Sequence, residues 1–483
     1  MKKSRLLEEA LLYISKNKFK VNGKYRLKFH LMGECGWVND PNGFIFYNGL
    51  YHCFFQYNPF EPFWGPTYWG HAVSKDLVKW DHLPIALAPN EEYDKDGCFS
   101  GSAIEIDGKI YLMYTGHVEY SMGSYRQVQC IAYSKDGVNF VKYFKNPVID
   151  TNNLPKGASK CDFRDPKVIK KGETYYVIIA SRSEEGRGQI LLYKSKDFFA
   201  WEYVSTIVKN EGFVEGDIWE CPDLFELEGK YILITSIQQK EGKELVKSEV
   251  LYFVGDMNFE AGIYKIEKIE KLDHGRYFYA PQTMLDDKGR RLMIAWMDNW
   301  NCSFPTQKGH NWAGAFILPR EVFLINNRLI MKPVEEIKKY REKEVFIDRV
   351  MNNETINLNL TSDCIDVEIH LLLVEKAKIE ISIFSGLMKN DFIKILYNSF
   401  SNKLEISIKD LVFDNEKQFI DLYPIEDRLF LRFLLDKSSI EVFANEGEKV
   451  VTNRVYPLEK YNMLSITSEG ICRVMLKKWD IDI

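Results

Sequence analysis

The chain has 483 residues, 46% hydrophobic and 28% charged, which is typical of globular proteins and leaves room for two or more domains. Its net charge of −5 lacks the basic excess of nucleic-acid-binding proteins and argues against that class. No segment approaches the roughly 18 apolar residues of a membrane-spanning helix, so we expect neither a nucleic-acid nor a membrane partner.

The first segment, MKKSRLLEEALLYISKNK, begins with basic residues, but Glu8 and Glu9 interrupt its apolar positions. This pattern predicts an amphipathic helix within a lead-in over residues 1–29, and no signal peptide. The nine cysteines are scattered and form no CxxC pair. Such usage favours reduced thiols over a disulfide or zinc framework, so we expect a cytoplasmic protein.

A turn glycine followed by an apolar, tyrosine-rich strand then recurs five times, at intervals of 57 to 64 residues. The copies are NGLYHCFFQY, DGKIYLMYTG, KGETYYVIIAS, EGKYILITS and KGRRLMIAWM. The first three are followed by HAVSKDLVKW, IAYSKDGVNF and LYKSKDFFAW, which read as a third strand, a tight turn and an outer strand. A fixed period of strand units predicts a five-bladed β-propeller over residues 30–335. One large sandwich is the alternative, but it gives no reason for five copies.

Beyond residue 345 the pattern changes to segments such as TINLNL, KIEISIF and KLEISI, which alternate apolar and polar residues. This period of two predicts a C-terminal antiparallel β-sandwich over residues 345–483. The charged stretch EEIKKYREKE is typical of a solvated helix face and predicts a linker over residues 336–344. The whole chain is therefore predicted to be all-β. Packing against the propeller is the preferred role for the sandwich, with carbohydrate binding as the alternative.

The short strand before each repeat glycine opens with NDPNG, SGSA, RDP, ECPD or APQ. In a propeller the first strand of each blade lines the central channel, so these openings should meet at one end. Three of them carry an acid: Asp40, Asp165 and Glu220. Turn chemistry alone could explain WVNDPNGF. It does not explain why three acids from distant parts of the chain share one place in the repeat.

Two carboxylates facing a glycosidic bond can act as nucleophile and as general acid/base. The apolar flanks of Glu220 suit an acid that keeps its proton, whereas the neighbouring Arg164 should lower the pKa of Asp165. A calcium site is the alternative, but no DxDxDG-type loop or histidine cluster accompanies the acids, so we expect no metal. Three histidines are expected to be structural: His30, His71 and His274.

The motifs WVNDPNG, FRDP and WECPD, in this order, resemble the three signatures of glycoside hydrolase family 32, the β-fructofuranosidase family. The segments WGHAVSKDLVKW, FSGSA, FYAPQ, WAGAFILPRE and SSIEVFANEG also fit, so the resemblance covers nearly the whole chain. One departure is GEC at 33–35, which replaces a proline-rich lead-in and concerns the shape of that loop. The resemblance implies a five-bladed propeller with a β-sandwich, a retaining mechanism through a fructosyl-enzyme, and no cofactor.

Carried over by motif, Asp40 is the nucleophile, Glu220 the acid/base, and Asp165 the residue that stabilises the transition state. The resemblance also implies a set of substrate-binding residues: Asn39, Gln56, Trp64, Phe99, Ser100, Arg164, Tyr279 and Trp296. The alternatives are that Trp64 and Trp296 belong to the core and that Gln56 satisfies backbone groups.

Within the family, the long stretches around WVNDPNG and WGHAVSKDLVKW most resemble bacterial sucrose-6-phosphate hydrolases. The expected partner is therefore a small sugar, sucrose-6-phosphate or sucrose. Hydrolysis of unmodified sucrose or short fructo-oligosaccharides is the alternative, and a non-catalytic sugar-binding propeller is the alternative from another class. A phosphate should meet basic groups at the site's rim. The candidates for these basic groups are Arg126, Arg182 and Arg187. The sequence does not determine the oligomeric state.

Overall fold

The computed structural model describes residues 5–120, 124–242, 244–300, 304–385 and 392–483. Strands dominate these residues, and the α-helix found in them, α1 (Arg5–Asn17), confirms the predicted amphipathic helix. Its apolar face buries Ala10 and Ile14. No helix in the described ranges is long and apolar enough to cross a membrane. Short 3-10 helices in the described residues are Lys18–Lys20, Thr151–Asn153, Pro305–Gln307, Glu335–Tyr340 and Asn445–Gly447.

The chain divides into two compact units, and the first comprises Met1–Val21, Leu31–Leu272 and Phe278–Asn327. In its described residues, five sheets are present. The first contains β1 (Gly36–Tyr47), β2 (Leu50–Asn58), β3 (Tyr68–Ser74) and β4 (Asp81–Leu87). The second contains β5 (Gly97–Ile106), β6 (Lys109–Glu119), β7 (Tyr125–Ser134) and β8 (Val141–Lys142). The third contains β9 (Ala158–Lys171), β10 (Thr174–Ser183), β11 (Gly188–Ser195) and β12 (Glu202–Lys209).

The fourth sheet contains β13 (Ile218–Leu227), β14 (Lys230–Glu241), β15 (Glu244–Asn258) and β16 (Ile263–Lys271). The fifth contains β17 (Tyr279–Leu285), β18 (Arg291–Trp296) and β20 (Arg320–Ile325). The short β19 (Trp312–Ala313) lies between β18 and β20 in the chain. Strand β19 joins the first sheet instead, where it pairs in parallel with β1. The five repeated segments of the sequence are thus the second strands β2, β6, β10, β14 and β18.

The recurrent Ser-Lys-Asp sequence forms the turn after the third strand. In the third sheet, Asp197 accepts hydrogen bonds from the N–H groups of Phe199 and Ala200, and the Ser195 hydroxyl accepts one from Phe198. Short polar side chains that bond the backbone a few residues on favour tight turns. The sequence repeat therefore reflects a repeated turn.

Apolar layers fill the space between consecutive sheets. Leu112 and Met113 are neighbours on β6, yet Leu112 packs in a layer with the first sheet and Met113 in a layer with the third. Val177 and Ile178 on β10 divide in the same way between the second and fourth sheets. This alternation follows from side chains pointing to opposite faces of a strand, and it buries both faces of the inner sheets.

The first strands of the five sheets contact one another in cyclic order. Strand β1 contacts β5, β5 contacts β9, β9 contacts β13, β13 contacts β17, and β17 contacts β1. The openings that carry the three acids therefore lie side by side, although they are far apart in sequence.

The second unit comprises Asn22–His30, Asp273–Tyr277 and Arg328–Ile483. Its strands begin with β21 (Arg328–Pro333), β22 (Arg341–Asn352), β23 (Thr355–Asn359), β24 (Ile365–Leu373), β25 (Lys378–Phe384), β26 (Phe392–Asn398) and β27 (Lys403–Lys409). They continue with β28 (Glu416–Asp421), β29 (Arg428–Asp436), β30 (Ser439–Ala444), β31 (Lys449–Arg454), β32 (Met463–Glu469) and β33 (Ile471–Ile481). Of the strands in the described residues, the twelve from β22 to β33 form two six-stranded antiparallel sheets, in the orders β22-β33-β24-β29-β30-β31 and β23-β32-β25-β26-β27-β28.

The predicted linker over residues 336–344 differs from what is observed. Residues 335–340 form a 3-10 helix that buries Glu336 and Ile337, and residues 341–344 already belong to β22. Strand β22 is an edge strand with mostly exposed side chains. Charged residues protect such edges from pairing with other chains, so a charged edge strand resembles a solvated charge run in sequence.

Candidate active site

The first strand of every sheet in the first unit is irregular at the site. The pairing register shifts between Val38 and Pro41 in β1, and equivalent shifts occur in β5, β9, β13 and β17. Asp165, Cys221 and Ala280 each precede a proline at these bulges and have positive φ angles of 64°, 48° and 50°. Bulges re-aim side chains and are common beside active sites.

The three acids do not occupy identical places in their motifs. Asp40 and Asp165 stand directly before a proline, whereas Glu220 stands one residue earlier. The residues equivalent to Glu220 in two neighbouring motifs are Arg164 and Tyr279, and both contact it. The shared position expected from the sequence is therefore accurate to one residue.

The structure brings the three carboxylates together. The Cys221 thiol lies 3.4 Å from Asp40 Oδ2 and 3.6 Å from Asp165 Oδ2. The Arg164 guanidinium donates to Glu220 Oε1 at 3.1 Å, and its Nε lies 4.0 Å from Asp165 Oδ2. One thiol and one guanidinium thus link all three acids.

Asp40 is buried and held by neutral donors. Its Oδ2 accepts a hydrogen bond from the Ser100 hydroxyl at 2.7 Å, and its Oδ1 accepts one from Asn39 Nδ2 at 3.3 Å. Gln56 bonds the side chains of Asn39 and Ser100 in turn. Burial raises the pKa of Asp40 to about 6, although the Ser100 hydrogen bond opposes this shift.

Asp165 corrects an expectation from the sequence. Its Oδ2 accepts the Cys221 backbone N–H at 2.8 Å. Burial raises the pKa of Asp165 to about 7. The adjacent Arg164 does lower that pKa, but the charges of Glu220 and Asp40 act with burial to raise it. The predicted lowering of the Asp165 pKa was therefore wrong, because the arginine neutralises only part of the acid cluster.

The surroundings of Glu220 also differ from the predicted apolar setting. Its carboxylate accepts hydrogen bonds from Arg164, from Gln238 Nε2 at 2.7 Å and from the Tyr279 hydroxyl at 2.5 Å. The apolar Trp219 beside it in sequence points to the opposite face of β13, into the core with Leu224. Glu220 is thus a polar, partly exposed carboxylate with one oxygen towards Arg164 and the other towards Gln238 and Tyr279.

A cavity of about 350 Å³ opens above the acids. It is lined by Asn39, Asp40, Gln56, Trp64, Phe99, Arg164, Asp165, Glu220, Gln238, Lys240, Leu245 and Trp300. Trp64 is half exposed on this wall, which argues against a place in the core. The described hydrogen bonds of the Gln56 amide are to side chains, so it does more than satisfy backbone groups.

Three predicted substrate-binding residues are not among the lining residues. The Ser100 hydroxyl donates a hydrogen bond to Asp40, and the Tyr279 hydroxyl donates one to Glu220. Trp296 is fully buried and packs edge-on against Tyr279 and Trp300. A direct substrate contact by Trp296 is therefore a prediction that the structure does not support, and its place in the core agrees with the alternative.

Two family models match the chain: the glycosyl hydrolases family 32 N-terminal domain over residues 30–333 and the family 32 C terminal over residues 334–480. The chain belongs to glycoside hydrolase family 32. Similar curated proteins include the sucrose-6-phosphate hydrolase of Escherichia coli, 35% identical over 458 residues that span 92% of both chains. The raffinose invertase of Escherichia coli is 35% identical over 91% of both chains.

Solved structures of the family are similar throughout the chain. A GH32 beta-fructofuranosidase variant from Bombyx mori, in complex with sucrose, has a TM-score of 0.84 and 33% identity over 98% of both chains. The sucrose-6-phosphate hydrolase from Lactobacillus gasseri has a TM-score of 0.86 and 25% identity, and the match covers 98% of this chain and 96% of that one. The resemblance drawn from the sequence motifs is thereby confirmed, and this family 32 member is a glycoside hydrolase.

Four lining residues of this family 32 hydrolase were missed from the sequence: Gln238, Lys240, Leu245 and Trp300. Gln238, Lys240 and Leu245 lie at the far end of the hairpin β14–β15. Nothing in the repeat pattern marks how far a hairpin extends beyond its sheet. Their spacing of two along β14 puts Gln238 and Lys240 on one face, which is a signal only once the strand is known.

The arginines predicted for a phosphate rim are engaged elsewhere. Arg126 pairs with Asp150 at 2.6 Å, Arg182 with Asp162 at 2.9 Å, and Arg187 with Asp217 at 3.4 Å. None of the three arginines is among the residues that line the cavity of this hydrolase. The structure does not support that prediction, because each of these charges already has a carboxylate partner.

Two further predictions concern metal binding and structural histidines. In the described parts of the chain no cluster of three or more His, Cys, Asp or Glu side chains has an arrangement that could hold a metal ion. His30 lies between Asp436 and Glu441 at 2.8 and 2.9 Å, and all three side chains are fully buried. His71 bonds His52 at 3.0 Å. Both are structural hydrogen-bonding groups, as predicted.

Proposed function

We propose that this enzyme cleaves the fructosyl bond of sucrose-6-phosphate, and of sucrose, through a covalent fructosyl-enzyme intermediate. The observation that carries the proposal is the convergence of Asp40, Asp165 and Glu220 on one cavity, linked by the Cys221 thiol and the Arg164 guanidinium. The names of the similar proteins support the same chemistry, since they include sucrose-6-phosphate hydrolases, an invertase and a beta-fructofuranosidase bound to sucrose.

In the first step Asp40 attacks the anomeric carbon of the fructosyl unit while Glu220 protonates the leaving oxygen. Ser100 and Asn39 hydrogen-bond the Asp40 carboxylate and so fix its orientation. Burial raises the pKa values of Asp40 and Asp165, and the charge of Glu220 adds to both shifts. We assign the acid role to Glu220, which lies on the side of the cavity that Gln238 and Lys240 line.

In the second step Glu220 removes a proton from water, which releases fructose with its original configuration. Asp165 stays beside the fructosyl unit and hydrogen-bonds its hydroxyl groups. The Cys221 backbone N–H holds Asp165 at 2.8 Å, and the Asp165 N–H bonds the Thr115 hydroxyl at 2.9 Å. A carboxylate tied at both its backbone and its side chain is well suited to hold a transition state, because it needs no reorganisation.

The fold proposal is a five-bladed propeller built from the five sheets of the first unit, followed by a C-terminal β-sandwich whose strands begin with β22 at Arg341. The cyclic contacts of β1, β5, β9, β13 and β17 support the propeller, and the two six-stranded antiparallel sheets support the sandwich. We further propose that the enzyme acts in the cytoplasm. The eight cysteines in the described residues are free thiols, which is consistent with a reducing compartment.

The decisive comparison is kcat/KM of the purified enzyme on sucrose-6-phosphate, sucrose and a short inulin. We expect all cleavage to depend on Asp40 and the highest value to be for sucrose-6-phosphate. Asp40→Ala, prepared identically, should remain folded and lose at least about 10²- to 10⁴-fold, because the nucleophile contributes no less than general acid catalysis does. Equal values on the two sucrose forms would overturn the phosphate preference but leave a fructosidase. Absence of cleavage by the folded wild type would favour a sugar-binding protein instead.

A further inference from the structure

The cavity is electrically asymmetric. Its floor carries the carboxylates of Asp40, Asp165 and Glu220, whereas Lys240 stands on its wall at the exposed end of β14. Within the described parts of the chain the Lys240 ammonium group makes no ion pair or side-chain hydrogen bond. A cation that lines a cavity and has no carboxylate partner is available to an anionic ligand.

The other cation of the cavity wall is fully committed. Arg164 donates to Asp162 at 2.7 Å and to Glu220 at 3.1 Å, and it lies 4.0 Å from Asp165. If Arg164 turned towards an added anion, the three carboxylates would lose their counter-charge. Lys247, further along the same hairpin, is held by Glu215 and Glu249 at 2.8 and 2.9 Å. Lys240 is therefore the lining cation that an incoming anion can reach without breaking an existing pair.

Strand β14 also gives the direction from the acids to Lys240. Gln238 donates to Glu220 Oε2 at 2.7 Å, and Lys240 follows two residues later on the same face of the strand. Two residues of a strand advance by roughly 7 Å. Burial decreases along this step, since Gln238 is buried and Lys240 is exposed. The path from Glu220 past Gln238 to Lys240 thus leads outwards to the cavity mouth.

We propose that Lys240 binds the 6-phosphate of the glucosyl unit and sets the preference for the phosphorylated substrate, an inference that rests on the proposed function. The fructosyl unit occupies the acid floor, and the leaving oxygen lies at Glu220. The glucosyl unit then lies along Gln238, with its phosphate towards Lys240. A phosphate monoester carries roughly −1.5 to −2 charges at pH 7, so the acid floor repels it while Lys240 attracts it. Leu245, the cross-strand partner of Lys240, offers no competing charge.

The test compares kcat/KM on sucrose-6-phosphate and on sucrose for the wild type, Lys240→Gln and Lys240→Arg. Lys240→Gln should lower kcat/KM on sucrose-6-phosphate about ten- to hundredfold, with a far smaller change on sucrose. Lys240→Arg should restore most of the preference. Added salt should weaken the wild-type preference, because exposed charges are screened over about 8–10 Å. Inhibition by the product glucose-6-phosphate should weaken in Lys240→Gln by a similar factor.

Lys247→Gln is the matched control, since it removes the same charge from the same hairpin at a residue already paired with carboxylates. It should leave the ratio of the two kcat/KM values within about twofold of the wild type, because screened charges act weakly at a distance. A Lys240→Gln enzyme that keeps the wild-type ratio, or a Lys247→Gln enzyme that loses it as fully, would overturn the role of Lys240. A wild type that cleaves sucrose-6-phosphate normally in that same experiment would leave the proposed function standing.

Discussion

Ser100 favours the ionised form of the proposed nucleophile. Burial raises the pKa of Asp40 to about 6, and the hydrogen bond that the Ser100 hydroxyl donates to Oδ2 at 2.7 Å opposes this rise. Asp40 must be ionised to attack, so kcat/KM should fall as the pH drops through about 6. Removing the donor in Ser100→Ala should raise the Asp40 pKa further and move this acidic limb to higher pH.

The measurement is the pH profile of kcat/KM, which reports the ionisations of the free enzyme. Ser102→Ala is a suitable control, because the Ser102 hydroxyl donates to the Pro166 carbonyl at 2.8 Å and not to an acid. Its acidic limb should coincide with that of the wild type. An acidic limb of Ser100→Ala at lower pH than the wild type would contradict the hydrogen bond's assigned effect.

At this scale the sequence predicted which acids form the site but not what surrounds each of them. The acids could be identified from the sequence because each lies in a short motif that contains a proline. The partners of Glu220 could not be identified in this way, since Gln238 and Tyr279 come from other strands and only folding brings them to its carboxylate. The burial of Trp296 was likewise invisible, because tryptophans at a wall and behind it have the same sequence signature.

The bulges of the first strands are the elements that aim the site residues. Ala280 shows their cost: it is fully buried with φ of +50°, in the left-handed region, which is strained for any residue with a Cβ and most of all for a β-branched one. Ala280→Val should therefore lower the unfolding midpoint strongly, because it adds backbone strain and excess volume in a packed position. Ala280→Gly should keep the fold, because glycine adopts positive φ without penalty.

Thermal unfolding of the two variants beside the wild type checks this prediction. An Ala280→Val protein that unfolds at the wild-type temperature would show that the bulge tolerates other backbone geometry. The activity of Ala280→Gly adds a second readout, since Tyr279 precedes this position and donates to Glu220 at 2.5 Å.

The repeat predicted the strands but not these bulges. Glycines, tyrosine-rich segments and Ser-Lys-Asp turns recur in the sequence, so the second and third strands were located correctly. Register depends on the pairing partner, and a one-residue shift such as that between Glu220 and Asp223 leaves no local pattern beyond the proline. The charged residues 341–344 were misassigned for a related reason, since an exposed edge strand and a solvated linker have similar composition.

For the whole molecule, the sequence predicted two regions that differ in their pattern of apolar residues, but it did not predict that the two units are discontinuous in the chain. Residues 22–30 and 273–277 belong to the second unit. Buried contacts hold them there: His30 lies between Asp436 and Glu441, and Thr452 donates to Asp273 at 2.6 Å. Such contacts join residues far apart in the chain, so a scan along the sequence assigns contiguous ranges and misses them.

The proposed mechanism depends on a double displacement at Asp40, in which fructose is first transferred to the enzyme and then to an acceptor. Methanol tests this directly, because it can replace water in the second step and fixes the configuration in a stable product. The wild-type enzyme, given sucrose-6-phosphate in aqueous methanol, should form the methyl β-fructofuranoside, since two inversions restore the starting configuration. NMR spectroscopy of the product identifies the anomer. Formation of the α anomer would indicate a single displacement by the acceptor and would contradict the role of Asp40 as nucleophile.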